Sequence, residues 1–214
     1  MAIGRGPRGK TNIGRRGFAT MLLLGIGWLG RQASSQSGSS GSVPTPIDSP
    51  AEPILRLRSA LLKLAAADWP PPSPILGPLV AAAFDLSGIA AAILGPAAAT
   101  ATPEQTARFA QAFGRRMVRE LARNRPEQAT DQFGVQEIRP IGTVEWLVIT
   151  RSELPTGPAV LSWRVRGLQE GPRIVDLSRD GISAIEVQRR DLASALRTRP
   201  LEDVLADIES RLAR

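Results

Sequence analysis

The groups able to do chemistry in this chain are carboxylates, hydroxyls, arginines, Lys10 and Lys63, because its 214 residues include no Cys, no His and no Tyr. That inventory excludes a Ser-His-Asp triad, a thiol nucleophile, a histidine general base and an imidazole or thiolate zinc site. What remains for catalysis is a carboxylate with its pKa raised by an apolar pocket, and Asp85, Asp176 and Asp180 are the candidates. Each also has a plain structural role. Asp85 can cap a helix, Asp176 can pair with an arginine near a sheet end, and Asp180-Gly181 can make a turn. Those roles are the expected ones, so the chain is read as no enzyme, with no metal and no cofactor.

The formal net charge of +7 suggests at first a phosphate-rich partner. Position removes that reading. Arg5, Arg8, Lys10, Arg15, Arg16 and Arg31 lie in the first 35 residues, where there is no acid, leaving 21 of the 27 basic groups against 20 acids. A body so nearly balanced has no phosphate-tracking excess, and no nucleic acid is expected as a partner.

Those early residues have the layout of an export signal: a basic start, then the apolar run from Phe18 to Gly30, too short to span a bilayer. Arg15, Arg16 and Phe18, in Gly14-Arg15-Arg16-Gly17-Phe18, resemble the twin-arginine motif. Residues 1–35 are therefore expected to be a twin-arginine-type signal peptide directing the chain to the periplasm. Residues 36–52, rich in Ser, Gly and Pro, read as a linker that cannot bury enough surface to order itself. One folded domain is expected over 53–214.

Within it, Ile54, Leu57, Leu61 and Leu64 predict an amphipathic helix over 53–68, stopped by Pro70-Pro71-Pro72. Ile75 to Ala101 carries only one charge, Asp85, and its insertion balance is near zero once Asp85, Pro78 and the glycines are counted. A pair of buried helices broken at Phe84-Asp85-Leu86 is the better reading. Thr102-Pro103-Glu104-Gln105 is a capping box that opens a long helix with the apolar stripe Phe109, Phe113, Met117 and Leu121.

Beyond Pro126 the period changes to two. Segments 133–138, 143–151, 159–166 and 173–178 read as an antiparallel meander, with Trp146 and Trp163 in one inward phase. A helix after Gly181, through Ile182 and Ile185 towards Leu196, and another over 201–212 close the chain. The fold class is α+β: helices packed on a twisted four-stranded antiparallel sheet, enclosing an apolar cavity.

Three stretches in this order resemble the MlaC, or toluene-tolerance, family of periplasmic phospholipid-binding proteins that serve ABC-type lipid transport. They are Phe84-Asp85 with Leu94-Gly95; Thr102-Pro103-Glu104-Gln105 with Phe109 and Phe113; and Ile174 to Ser183 with Arg189 or Arg190. The chain departs from the family at Pro172 and Leu192, where an aromatic is usual. The resemblance implies a monomeric carrier whose ligand is phospholipid. Its implied partners are an inner-membrane ABC transporter complex bearing lipid-binding domains and an outer-membrane acceptor. The expected lipid-binding residues are Leu79, Phe84, Phe109, Phe113 and Met117 from the helices, Trp146, Val148, Leu161, Trp163 and Val165 from the strands, and Ile182 and Ile185. Tails are expected between the Phe109, Phe113, Met117 stripe and the sheet. A carboxylate enzyme and a non-catalytic exported adaptor are the alternative functions.

Replacing both Arg15 and Arg16 by Lys is expected to stop export of a periplasmic reporter fused to residues 1–35. Unchanged export would exclude the twin-arginine route.

Overall fold

The computed structural model describes residues 49–67, 69–70, 73–123, 133–154 and 157–213. The expected signal peptide and most of the linker lie outside the described residues.

Helix α1 (Glu52–Ala67) buries Ile54, Leu57, Leu61 and Ala65, the i, i+3, i+4 stripe that the spacing predicts. The apolar stretch that follows is two helices, α2 (Ser73–Ala83) and α3 (Leu86–Leu94), with a 3-10 turn over Gly95–Ala99. Asp85 sets the break: its carboxylate accepts from the Gly88 amide at 2.8 Å, capping α3. A methyl group on Gly88 would overlap that carboxylate. Gly95 ends α3 at φ 55°, a conformation costly for residues with a Cβ. No helix among the described residues is long and apolar enough to cross a membrane.

Helix α4 (Pro103–Arg123) starts at the expected capping box. Gln105 N–H donates to Thr102 Oγ1 at 3.1 Å, and Thr102 N–H donates to Gln105 Oε1 at 3.0 Å. Helix α4 packs on α2 and α3, and a Cβ added at Gly114 would lie 3.0 Å from a Leu86 methyl carbon.

Strands β1 (Gly134–Pro140), β2 (Glu145–Leu154), β3 (Gly157–Leu168) and β4 (Gly171–Arg179) form the antiparallel meander. A fifth strand, β5 (Ile182–Ser183), corrects both the four-stranded count and the helix expected to begin at Ile182. The reason is the turn: Asp180 and Gly181 both have positive φ, 52° and 76°, as a two-residue hairpin needs, so Arg179 pairs back with Ile182. Ser183 then caps α5 (Ala184–Leu196), accepting from Glu186 N–H at 3.1 Å, and α6 (Leu201–Ala213) closes the chain.

The helical layer meets the sheet at β4, which α1, α2, α3 and α5 all approach. Beyond it, α6 lies across α4 and is held by polar contacts. Arg108 Nε and Nη2 reach the two carboxylate oxygens of Glu209 at 3.1 and 2.8 Å, while Nη1 reaches Glu202 at 2.6 Å. Arg119 donates to the carbonyls of Arg211 and Leu212, satisfying the last turn of α6.

Hydrogen bonds from Arg108 hold the Glu209 and Glu202 carboxyls below their ordinary value of 4.5. Burial pushes Glu145 up, but hydrogen bonds from Arg164 and Arg166 and their charges outweigh it, so its net direction is also down. Depressed carboxyls contribute stability that is complete above the unfolded value and is lost as pH falls through the folded one. With no His or Cys, no side chain of ordinary pKa titrates between about pH 5 and 8. The melting temperature is expected to stay flat across that range and to fall once pH drops below about 4.5. A titration in the melting temperature centred near pH 6.5 would contradict this.

Candidate functional site

The sheet's inner face follows from register. Val148 lies opposite Trp163, Trp146 opposite Val165 and Thr150 opposite Leu161, so these six side chains share one face. Val148, Leu161, Trp163 and Val165 are buried in one continuous core with Met117, Phe84 and Ile185. Trp163 Nε1–H donates to Thr150 Oγ1 at 2.8 Å, so these two polar groups inside the face partner each other. Trp146 is half-buried, its ring over Gly167, where an added Cβ would lie 3.2 Å from the ring.

The face continues onto β1 through Ile138, which pairs with Val148, and through Val135, which pairs with Thr150. Burial continues only in part, with Phe133 and Val135 packed on the edge of the core. Ile138 is 42% exposed where its partner Val148 is 0% exposed, so the cover that closes the inner face thins between β2 and β1. Sequence reading missed this margin, because Ile138 alternates as any inward residue does. It also missed Arg58, which lies beside the buried stripe of α1 and stacks on Phe133 at the start of β1, 4.3 Å from the ring centroid.

Four predicted site residues lie elsewhere than expected. Phe109 and Phe113 point into the helical layer, lining a space of about 30 Å3 with Ile93, Leu192 and Ile208 from α3, α5 and α6. The stripe therefore faces other helices at that end, since α2 and α3 stand between α4 and the sheet. Arg116 and Gln188 line the same space; Arg116 Nη1–H donates to Gln188 Oε1 at 3.1 Å, and burial lowers the guanidinium pKa. Ile182 is 54% exposed on β5, because the tight turn makes it a strand residue rather than part of the helix. Leu79 lines a separate surface groove of about 500 Å3 between Leu57 of α1, Ala82 and Ala83 of α2, and the β3–β4 hairpin. The charged groups of this groove are paired among themselves, Arg56 with Glu52 and Arg173 with Glu170.

The candidate carboxylates are committed to the fold. Asp85 caps α3 and stands 3.8 Å from Arg166. Asp176 was expected to pair with an arginine; instead it accepts from the Ser183 hydroxyl at 2.6 Å and from the Leu177 and Ile185 amides at 2.7 and 3.3 Å. The hairpin brings Ser183 back beside β4, so the carboxylate pins β4 to the start of α5. Among the described residues no group of acids could hold a metal ion.

The sheet's inner face is thus apolar and largely covered by helices, and the candidate carboxylates serve as joints of an α+β fold. The MlaC protein family matches residues 74–210, and the chain belongs to that family, as a periplasmic lipid-binding protein of lipid transport. In fold it is similar to the phospholipid-binding protein from Ralstonia solanacearum, whose structure holds a phospholipid. The two are 18% identical, with a TM-score of 0.63 over 78% of this chain and 97% of that one. No curated protein matches the chain.

Because Val148 is fully enclosed, Val148→Trp is expected to overpack the core and cost about 1–3 kcal/mol in urea denaturation. Wild-type stability in that variant would show room against the sheet that the burial denies.

Proposed function

We propose that this chain is a monomeric carrier that takes up phospholipid, or a related polar lipid, and moves it between an inner-membrane ABC transporter complex with lipid-binding domains and an outer-membrane acceptor. The observation that supports this most is the inner sheet face, apolar from Val165 to Ile138 and open to solvent at its β1 margin. Lipid tails placed against such a face leave water at about 0.8 kcal/mol per methylene, so two acyl chains carry ample driving force. The tails are proposed to meet half-buried Trp146 at the margin and to reach the enclosed Val148, Leu161, Trp163 and Val165, with Phe84, Met117 and Ile185 from the helices, as the helical cover moves aside, while Leu79 lines the separate groove. Phe109 and Phe113 act one layer further out.

Transfer of this kind breaks and makes no covalent bond. It needs no general base or bound cofactor, which suits a chain without His or Cys, and we read it as no enzyme. The Arg15-Arg16-Gly17-Phe18 segment is proposed to deliver it to the periplasm, with 36–52 as the linker before the domain.

Mass spectrometry of an organic extract of the protein, purified without detergent, is expected to find phospholipid or a related polar lipid. An extract free of lipid, together with no uptake from vesicles, would refute the carrier reading.

A further inference from the structure

Arginine in this fold is usually neutralised. Arg108 has Glu202 and Glu209, Arg164 and Arg166 share Glu145, Arg199 and Arg211 share Asp207, and Arg189 has Glu186. Arg58 is different. It projects from α1 over the Phe133 ring, its Nε is buried without a hydrogen-bond partner, and no carboxylate of the described residues is within ion-pair reach. Burial lowers its pKa, and no neighbouring anion acts in the opposite direction. A guanidinium half-withdrawn from water is costly unless something negative completes it.

Its location narrows what that is. Phe133 immediately precedes β1, the strand along which the inner face loses its cover: Phe133 and Val135 are partly buried against the core, and Ile138, five residues on from Phe133, is 42% exposed. The Arg58–Phe133 stack joins the helical layer to this free edge. A molecule whose apolar part reaches the inner face past β1 would have its polar end at the level of α1 and β1. An amphiphile with an anionic group between tails and solvent fits both features at once. The guanidinium fork matches the paired oxygens of a phosphate ester, and the ring holds the fork in place.

We propose that Arg58 is the residue that binds the phosphate of the lipid entering between α1 and β1, with Phe133 positioning its guanidinium. This rests on the carrier reading above and adds to it an entrance and a head-group contact. Arg58 precedes the part of the chain that matches the family, residues 74–210, so the contact is read from this chain's own geometry.

The test uses the full chain and vesicles of palmitoyl-oleoyl phosphatidylglycerol with a minor fraction of palmitoyl-oleoylglycerol, which has the same tails and no phosphate. Protein re-isolated after incubation is extracted, and the ratio of the two bound lipids is compared with that in the vesicles. Wild type is expected to enrich the phospholipid, and Arg58→Met to lower the ratio about tenfold, the worth of one charge-assisted hydrogen bond, while uptake of the neutral lipid is unchanged. Arg58→Lys, which keeps the charge and loses the fork, should lose only part of the preference. Arg58→Gln supplies a second uncharged variant should the methionine variant fail to fold, with thermal melts as the check. An unchanged ratio in a folded, uncharged variant overturns the assignment and leaves the carrier reading standing. Wild type that takes up neither lipid overturns both. Inorganic phosphate that binds wild type but not Arg58→Met, while leaving phospholipid uptake by wild type unaffected, would mark a site for the free anion and overturn the head-group assignment.

Discussion

The helical layer is fastened to the sheet at one backbone junction, Phe84-Asp85, and the rest of the architecture depends on it. The Asp85 amide donates to the Ile174 carbonyl at 3.0 Å, Phe84 forms a parallel bridge with Ile174, and the Asp85 carboxylate turns to cap the next helix. Two amide groups that a helix break would otherwise leave without partners are thereby satisfied, one by β4 and one by the cap. Phe84 is buried at the same point, so the junction is also part of the core. Helices α2 and α3 leave it in different directions, which allows both to lie near β4 while α4 rests on them from outside.

Anchoring at β4 has a consequence at the other end of the sheet. The cover runs from β4 across β3 and β2, where Val165, Leu161 and Val148 are enclosed, and thins on β1, where Val135 still packs on the core and Ile138 is exposed. A sheet covered on every strand would be a closed core. One covered up to its penultimate strand keeps an apolar margin reachable from solvent, the property a carrier of amphiphiles needs and an enzyme built around a buried carboxylate does not. The segments that resemble the family serve this arrangement as joints. Asp176 receives the Ser183 hydroxyl, and the side-chain methylenes of Arg189 lie against Gly95, whose missing Cβ leaves the space.

Elements were largely legible in the sequence because their signals are local. The 3.6 spacing of Ile54, Leu57 and Leu61, the capping box at Thr102 and the alternation from Trp146 to Thr150 depend on backbone periodicity and on groups within four residues of each other. The break at Asp85 was legible for the same reason: a charge in an apolar run is best placed at a helix start. Less could be read at Asp180-Gly181, where the turn was visible and its outcome was not. Whether Ile182 continues as helix or pairs back to Arg179 depends on the conformation of that turn, since an Asp-Gly pair can precede a helix as well as close a hairpin.

The sequence by itself determined the buried stripes of the helices and the inward phase of the central strands, though not the exposure of Ile138 or Ile182, and its lack of His and Cys determined which chemistries are excluded. Only the tertiary structure decided what each buried side chain faces. A stripe such as Phe109 and Phe113 records that one side of a helix avoids water. It carries no record of whether the partner is a sheet, another helix or a lipid, because removal from water has no direction. Likewise the formula of Arg58 and Phe133 says nothing of their meeting: they are distant in sequence, and only the tertiary structure stacks the cation, with no ion-pair partner among the described residues, on the ring that precedes the edge strand.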